Sequence, residues 1–512
     1  MNEPRSSPVG GDRTLAVDEL RPRVQTLLEE GYRLALVAAH HDHPDDGGHH
    51  ESIRHESLRI VYLLVAGCPD RRVELHVELP ISDPILPSLA DISFTVGRFE
   101  REMADLYGIV LRGHHQPARL VLHQHWPDGW HPMRRDAVAP SSFDAETQSY
   151  PFLSVEGPGV YEIPVGPVHA GVIEPGHFRF SVVGETILNM KARLWFVHKG
   201  IERLFHDRDP QSGVELAERI SGDTAVGHNL AYCLAVEQAT GCTPPRPAQL
   251  LRVVLLELER LYNHTTDLGA MANDVAFGIA HAHTMRIREQ ILRLNQQITG
   301  HRLLRGGITP GGTRVAWLPD PATITGIHDD ILNVVAIILS NATVVDRFTG
   351  TAVLDNDDAT QIGTLGYVAR SSGIDIDARR DHPFTDAYAD LTVPVLTDGD
   401  VMARFRLRVA EIEQSVEVLN RLLPHLPTGE HVTPIDFGGG PLDGVGLVEG
   451  WRGTIAHRIE IGPDGRLTRV KIVDPSFFNW PALPVAIAGD TIVPDFPLTN
   501  KSFNLSYAGN DL

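Results

Sequence analysis

The sequence predicts an α+β protein in which an N-terminal α/β domain precedes a mainly helical domain with a small β-rich entry. Three observations carry this. β-rich runs from Tyr32 to Ala39, Leu58 to Ala66 and Arg72 to Leu79 crowd the first part of the chain. A stretch dense in proline, serine and glycine, 138–160, reads as a linker. Beyond it, helical periodicity runs from Ala225 to Thr240 and from Pro244 to Gly269. The expected organisation is therefore an α/β domain over 14–137, the linker, and a second domain over 161–512.

The chain has 512 residues, enough for two or three cores. Its 66 acidic and 45 basic residues leave a formal charge of −21, which argues against nucleic acid or an anionic membrane surface as the main partner. No apolar run approaches the roughly 20 residues that span a bilayer. Met1 to Arg13 is polar and lacks the apolar stretch of a secretory signal. The expected location is cytoplasmic, reaching a membrane only through partners. Cys68, Cys233 and Cys242 form no C-x-x-C pair. An iron–sulfur cluster, which takes about four thiolates, is not expected in this chain, nor is a disulfide framework.

In chain order, a short helix from Val17 to Glu30 opens the first domain. The segment joining the first two strands holds six histidines between His40 and His55. Clustered imidazoles can bind zinc or nickel, but Pro, Gly and Asp dominate here and fix no geometry, so adventitious binding or disorder is the expectation. A further strand is expected at Asp91 to Thr95. In G-R-F-E-R-E-M-A-D-L-Y-G, from Gly97, a charged helix carries Phe99, Met103 and Leu106 on its apolar side and ends at Gly108. After the linker, strand-like residues flank a loop with His169, Glu174 and His177, either a pH-responsive relay or a plain hairpin. Glu202 follows in K-G-I-E-R. Next, E-R-I-S-G-D-T-A-V-G-H, Glu218 to His228, precedes an amphipathic helix that stops at Gly241. Asp223 or Thr224 is its natural N-cap, and His228 lies one turn on, on the face of Thr224. This is an ordinary capped helix or the wall of a site.

The Gly97–His115 stretch, with Trp126 and P-M-R-R-D at Pro132 to Asp136, resembles the 30-kDa subunit of respiratory complex I. G-P-V-H…E-P-G-H-F-R-F, V-H-K-G-I-E-R-L and E-R-I-S-G-D-T-A-V-G-H resemble the large subunit of group-4 membrane-bound [NiFe] hydrogenases and its cousin, the 49-kDa subunit of complex I. The fused order is similar to the large subunit of formate hydrogenlyase. That family holds nickel and iron with two C-x-x-C pairs. Here the four positions hold Ser221, Thr224, Ser506 and Gly509, while D-P-S at Asp474 to Ser476 lies too far upstream to be the second pair. A working [NiFe] centre is therefore not expected.

The resemblance implies further roles. In complex I the emptied cavity binds a quinone headgroup through a histidine, matched by His177, and a tyrosine, whose position holds Gly222. His169 and Thr224 would line the same cavity. Glu202 matches the glutamate that carries protons from the metal in hydrogenases, and His228 with Asp223 adds a carboxylate–imidazole pair, a proton relay or a relic. The implied protein binds no cofactor of its own beyond a possible quinone and takes electrons from a small subunit carrying a [4Fe–4S] cluster. Antiporter-like and anchor subunits would hold it at the inner face of the cell membrane. The alternative is a redox-inert scaffold coupling those partners.

Overall fold

The computed structural model of the chain describes residues 9–44, 55–140, 142–143, 150–170, 173–438, 440–488 and 491–512. Most of the histidine-rich segment lies outside these, but His40, His41 and Asp42 end the strand Arg33–Asp42 and are buried. The N-terminal sheet is ordered Val9–Leu15, Arg71–Pro80, Ser57–Ala66, Arg33–Asp42, the first pair parallel and the others antiparallel. Helix Val17–Glu29 packs Leu20, Val24 and Leu27 against it.

The strand expected at Asp91–Thr95 is instead a turn and the start of helix Phe94–Tyr107. Ser93 overrides the β-branched residues after it, because its hydroxyl accepts Val96 N–H and caps the helix. The acidic residues of this helix are braces. Glu100 accepts Leu89 N–H and Ser88 Oγ–H at 2.7 and 2.6 Å, and burial pushes it up to about 7. Asp105 Oδ2 accepts the N–H groups of Leu120, Val121 and Leu122.

The second domain opens with an antiparallel meander, Val160–Val165, His177–Val183 and Thr186–Arg193. Helices Arg246–Asp274, Gly278–Thr299, Pro321–Leu339 and Val401–Leu422 form its bundle. Pro321–Leu339, 19 residues with a mean hydropathy of 1.5, is long and apolar enough to cross a membrane by length and composition alone, although His328, Asp329 and Asp330 interrupt its apolar run. Its stripe of Ile324, Ile327, Ile331 and Ile338 nonetheless faces the bundle core. A sheet not anticipated from the sequence, Leu442–Gly450, Gly453–Ile461 and Leu467–Val473, occupies the centre. Helix Ala225–Thr240 has the expected bounds but is not amphipathic, being buried continuously from Ala225 to Cys233. It lies directly on this sheet because Gly444 and Gly446 present no side chains there. Cβ atoms on them would stand 2.1 and 1.9 Å from the carbonyl oxygens of Ala235 and Ala231.

The other face of the central sheet clasps the N-terminal domain. Arg59 donates to both Asp42 and Glu460, Arg458 bridges Glu460 and Glu74, and Lys471 reaches Glu102 at 2.8 Å. His40, Asp42 and Glu460 hold donor atoms within 4.8 Å of one another, in principle a cation site. The Arg59 guanidinium is already the cation between the two carboxylates.

Burial, only partly offset by Glu460, pushes His40 from 6.5 down to about 4. Between those values the unfolded chain binds the proton that the folded one refuses. His40 therefore contributes fully above pH 6.5 and ever less as pH falls toward 4. Across that interval the wild type should lose up to about 3 kcal/mol more than His40→Gln. Urea midpoints at both ends of the interval check this; parallel losses would exonerate His40.

Candidate functional site

The two segments expected to have carried metal ligands meet. Ser221 Oγ and Ser506 Oγ are 2.9 Å apart, both buried. Ser506 is set by its own short turn, accepting Gly509 N–H at 2.8 Å, while its N–H donates to Ser476 Oγ at 2.9 Å. The D-P-S triplet dismissed as too far upstream thus belongs to this place in space, though not as a ligand pair.

Above the serines, Arg452 donates to both oxygens of Asp223 at 2.7 Å each, and to Thr224 Oγ1 at 3.2 Å. Ser221 and Thr224 donate to Asp223 Oδ1 at 3.0 and 3.1 Å, and Trp451 Nε1–H donates to Thr224 Oγ1. Burial pushes Asp223 up, but the Arg452 guanidinium outweighs it and holds the carboxyl at about 2. These commitments explain why neither Asp223 nor Thr224 caps the following helix with its side chain. Glu259, from the long helix, accepts Val226 and Gly227 N–H at 2.7 and 2.9 Å instead.

His228 is buried in the core. Its Nε2 is 3.0 Å from Asp474 and its Nδ1 3.1 Å from His457, all three groups buried. With Asp474 ionised, His228 donates through Nε2 and accepts at Nδ1 from His457, a tautomer inferred from the network. Burial, reinforced by His228, holds His457 well below the usual imidazole range. Asp474 also abuts Gly509, where a Cβ would lie 2.6 Å from the carboxyl carbon. Hydroxyls at three positions and no room for a side chain at the fourth do not fit a nickel–iron centre, which takes soft thiolates.

Glu202 stands elsewhere. It accepts Ile472 N–H at 3.0 Å and pairs with Arg469 at 2.7 Å and Lys471 at 3.2 Å. Burial pushes it up, yet these two cations keep it below its ordinary value. A carboxylate held ionised by two cations is a poor proton relay; its geometry is that of the interdomain clasp. His169 is also spent locally, Nε2–H donating to Gly176 O at 2.7 Å across the hairpin loop.

His177 is the expected residue with an open atom. Its Nδ1–H donates to Gly166 O at 3.2 Å, leaving Nε2 buried and without a partner among the described residues. It lines a cleft of about 210 Å³ with His123, Tyr150, Phe152, Arg193 and Phe196. Arg193 is anchored by donating to Leu120 O and Leu122 O, and burial brings it down to about 10. Burial, with Arg193 nearby, lowers His123 to about 4. The neighbouring Gly176 packs on the Tyr507 ring, beside Ser506. Gly222 is exposed, and a Cβ there meets nothing within 4 Å. Sequence reasoning missed Trp451, Arg452, His457, Tyr150, Phe152 and Arg193. Only the proximity of Tyr150 and Phe152 to the histidine hairpin could have flagged any of them.

Comparison with known proteins divides the chain in the expected order. Residues 14–142 match the respiratory-chain NADH dehydrogenase 30 Kd subunit, 199–268 the nickel-dependent hydrogenases, and 274–436 the 49 Kd subunit. Formate hydrogenlyase subunit 5 of Escherichia coli (strain K12) is 31% identical over 460 residues, 86% of this chain and 79% of that one. Hydrogenase-4 component G of the same organism is 32% identical over 426 residues, 80% and 73% of the two chains. A subunit of the archaeal membrane-bound sulfane sulfur reductase shares the fold, with a TM-score of 0.64 and 24% identity over 69% of this chain and 99% of that one.

Proposed function

The chain belongs to the family of fused 30-kDa/49-kDa-type subunits of membrane-bound hydrogenase and complex I-like complexes, and from that premise we propose that it is an oxidoreductase subunit without a metal of its own, binding a quinone-type acceptor beside an iron–sulfur small subunit. The observation that carries the reading is the His177 cleft. The region between Ser221 and Ser506 is closed by their direct contact and by the Arg452–Asp223 pair, and this supports an acceptor in the His177 cleft over one between the degenerate ligand positions. His177 Nε2 would meet an acceptor carbonyl, donating when protonated and accepting from the hydroxyl of the reduced form when neutral. Arg193 supplies fixed positive charge at the floor. Docking at the inner face of the cell membrane through anchor and antiporter-like subunits completes the reading.

Electron transfer to decylubiquinone by the purified assembled complex tests it. His177→Ala should lower kcat/KM by about tenfold or more, the loss of a buried polar contact, with the small subunit's cluster signal unchanged. Unaltered turnover would favour the scaffold reading, which the Glu102–Lys471–Glu202 clasp between domains supports on its own. Gly222→Tyr offers a gain instead. The open position should accept the phenol and lower KM by about two- to tenfold, the worth of one hydrogen bond. An unchanged KM would show that Gly222 does not face the acceptor.

A further inference from the structure

The cleft owes one wall to a segment that belongs to neither domain core. Tyr150 and Phe152 come from the linker, whose backbone tightens as Phe152 N–H donates to Tyr150 O at 2.8 Å. Their rings meet at 4.6 Å and 60°. Each is seated on a cation from the β meander. Arg179 stands 4.4 Å from the Phe152 ring centroid, and Arg193 4.7 Å from that of Tyr150. Cation–π contacts of this kind hold a ring against a fixed support. Phe152 also faces His177 with ring centres 5.6 Å apart. On another side, Phe196 meets His123 edge-on at 4.5 Å, and His123 is tied to Leu194 O at 3.0 Å.

The space between is about 210 Å³, below the ~300–1,000 Å³ of pockets that enclose drug-sized ligands. It takes the head of a molecule and leaves any tail outside. Aromatic walls favour a planar π-system, and the open Nε2 of His177 favours a carbonyl or hydroxyl on its edge.

We propose that Tyr150 and Phe152 are specificity-determining residues of the cleft, which restrict it to a single planar ring seated over His177. This rests on the acceptor reading above. The linker then sets which quinone class is used, single-ring benzoquinones over two-ring naphthoquinones.

The test is steady-state turnover by the assembled complex with two probes, decylubiquinone and menadione. Phe152→Ala and Tyr150→Ala should each raise the menadione-to-decylubiquinone ratio of kcat/KM by about five- to tenfold, chiefly through KM for menadione, the discrimination that a change of wall volume in an apolar pocket provides. Phe152→Trp should shift the ratio the other way, which a general loss of folding would not do. Ratios constant within about twofold across the three variants would overturn the proposal. So would equal loss on both probes with cluster signals intact, since that is a positioning role. His177→Ala separates the two levels: if it abolishes turnover while the ratios stay fixed, the acceptor site stands and only the selectivity of the linker fails. If it changes nothing with either probe, the acceptor reading itself falls.

Discussion

Replacing Arg370 with alanine should destabilise the large domain by about 3–5 kcal/mol, the cost of stranding buried charges. Arg370 is fully buried, and its guanidinium donates to Glu411 at 2.6 Å and Glu449 at 2.9 Å, with Asp377 at 3.4 Å. Glu411 in turn holds His264 at 2.8 Å and lies 3.6 Å from Arg260. Burial opposes every charge here. For Glu411 the arginines and His264 more than reverse it, taking the carboxyl well below its ordinary value. Without Arg370, three carboxylates keep their desolvation and lose their largest common compensation. Arg370→Lys should recover little, because one ammonium cannot span partners arranged for a planar fork. Denaturant midpoints, at unchanged slope, give the number. Arg302→Ala, which removes an exposed pair with Glu289, is the control expected to change nothing measurable. Equal effects at the two sites would refute the argument.

Gly446→Ala should cost about 3 kcal/mol, the upper end for overpacking, since the atom that a Cβ would strike is the backbone oxygen of Ala231 at 1.9 Å and cannot rotate away. The helix Ala225–Thr240 must lift from the sheet, carrying His228 away from His457 and Asp474. Histidine ring-nitrogen NMR signals should report that separation alongside the lost stability. Gly222→Ala, with open space at its Cβ, should be silent in both measurements. If Gly446→Ala is silent too, the helix is not held at that distance.

The bounds of the helix Ala225–Thr240 are legible because Gly241, at φ 65°, terminates it in the left-handed region. Its surroundings are not legible. The alternation of polar and apolar residues suggests a solvent face, but Glu237 pairs with buried Arg252 and Asn229 with Glu218. Likewise Glu257, Arg260 and His264 lie off the apolar stripe of the long helix, yet all three are buried. Their burial depends on partners such as Glu411, 147 residues from His264. The family pattern brought Ser221 and Ser506 to one place correctly, because motif order survives where ligand chemistry does not. For Glu202 the motif position is legible, but its surroundings are set by Arg469 and Lys471 on a distant strand. Arg452 and Asp474 sit on or beside strands of the central sheet, and no local period marks them.

The crowding of Gly509 against Asp474 means that thiols at the four aligned positions would not by themselves assemble a metal site. A cysteine at 509 needs the volume that Asp474 fills, and Asp474 is the acceptor for His228 Nε2–H, which stands in turn against His457. Removing the aspartate to admit a thiol would leave the buried His228 Nε2–H without its acceptor. A side chain at 509 and the His228–Asp474 contact thus compete for one volume, so the two positions can change only together.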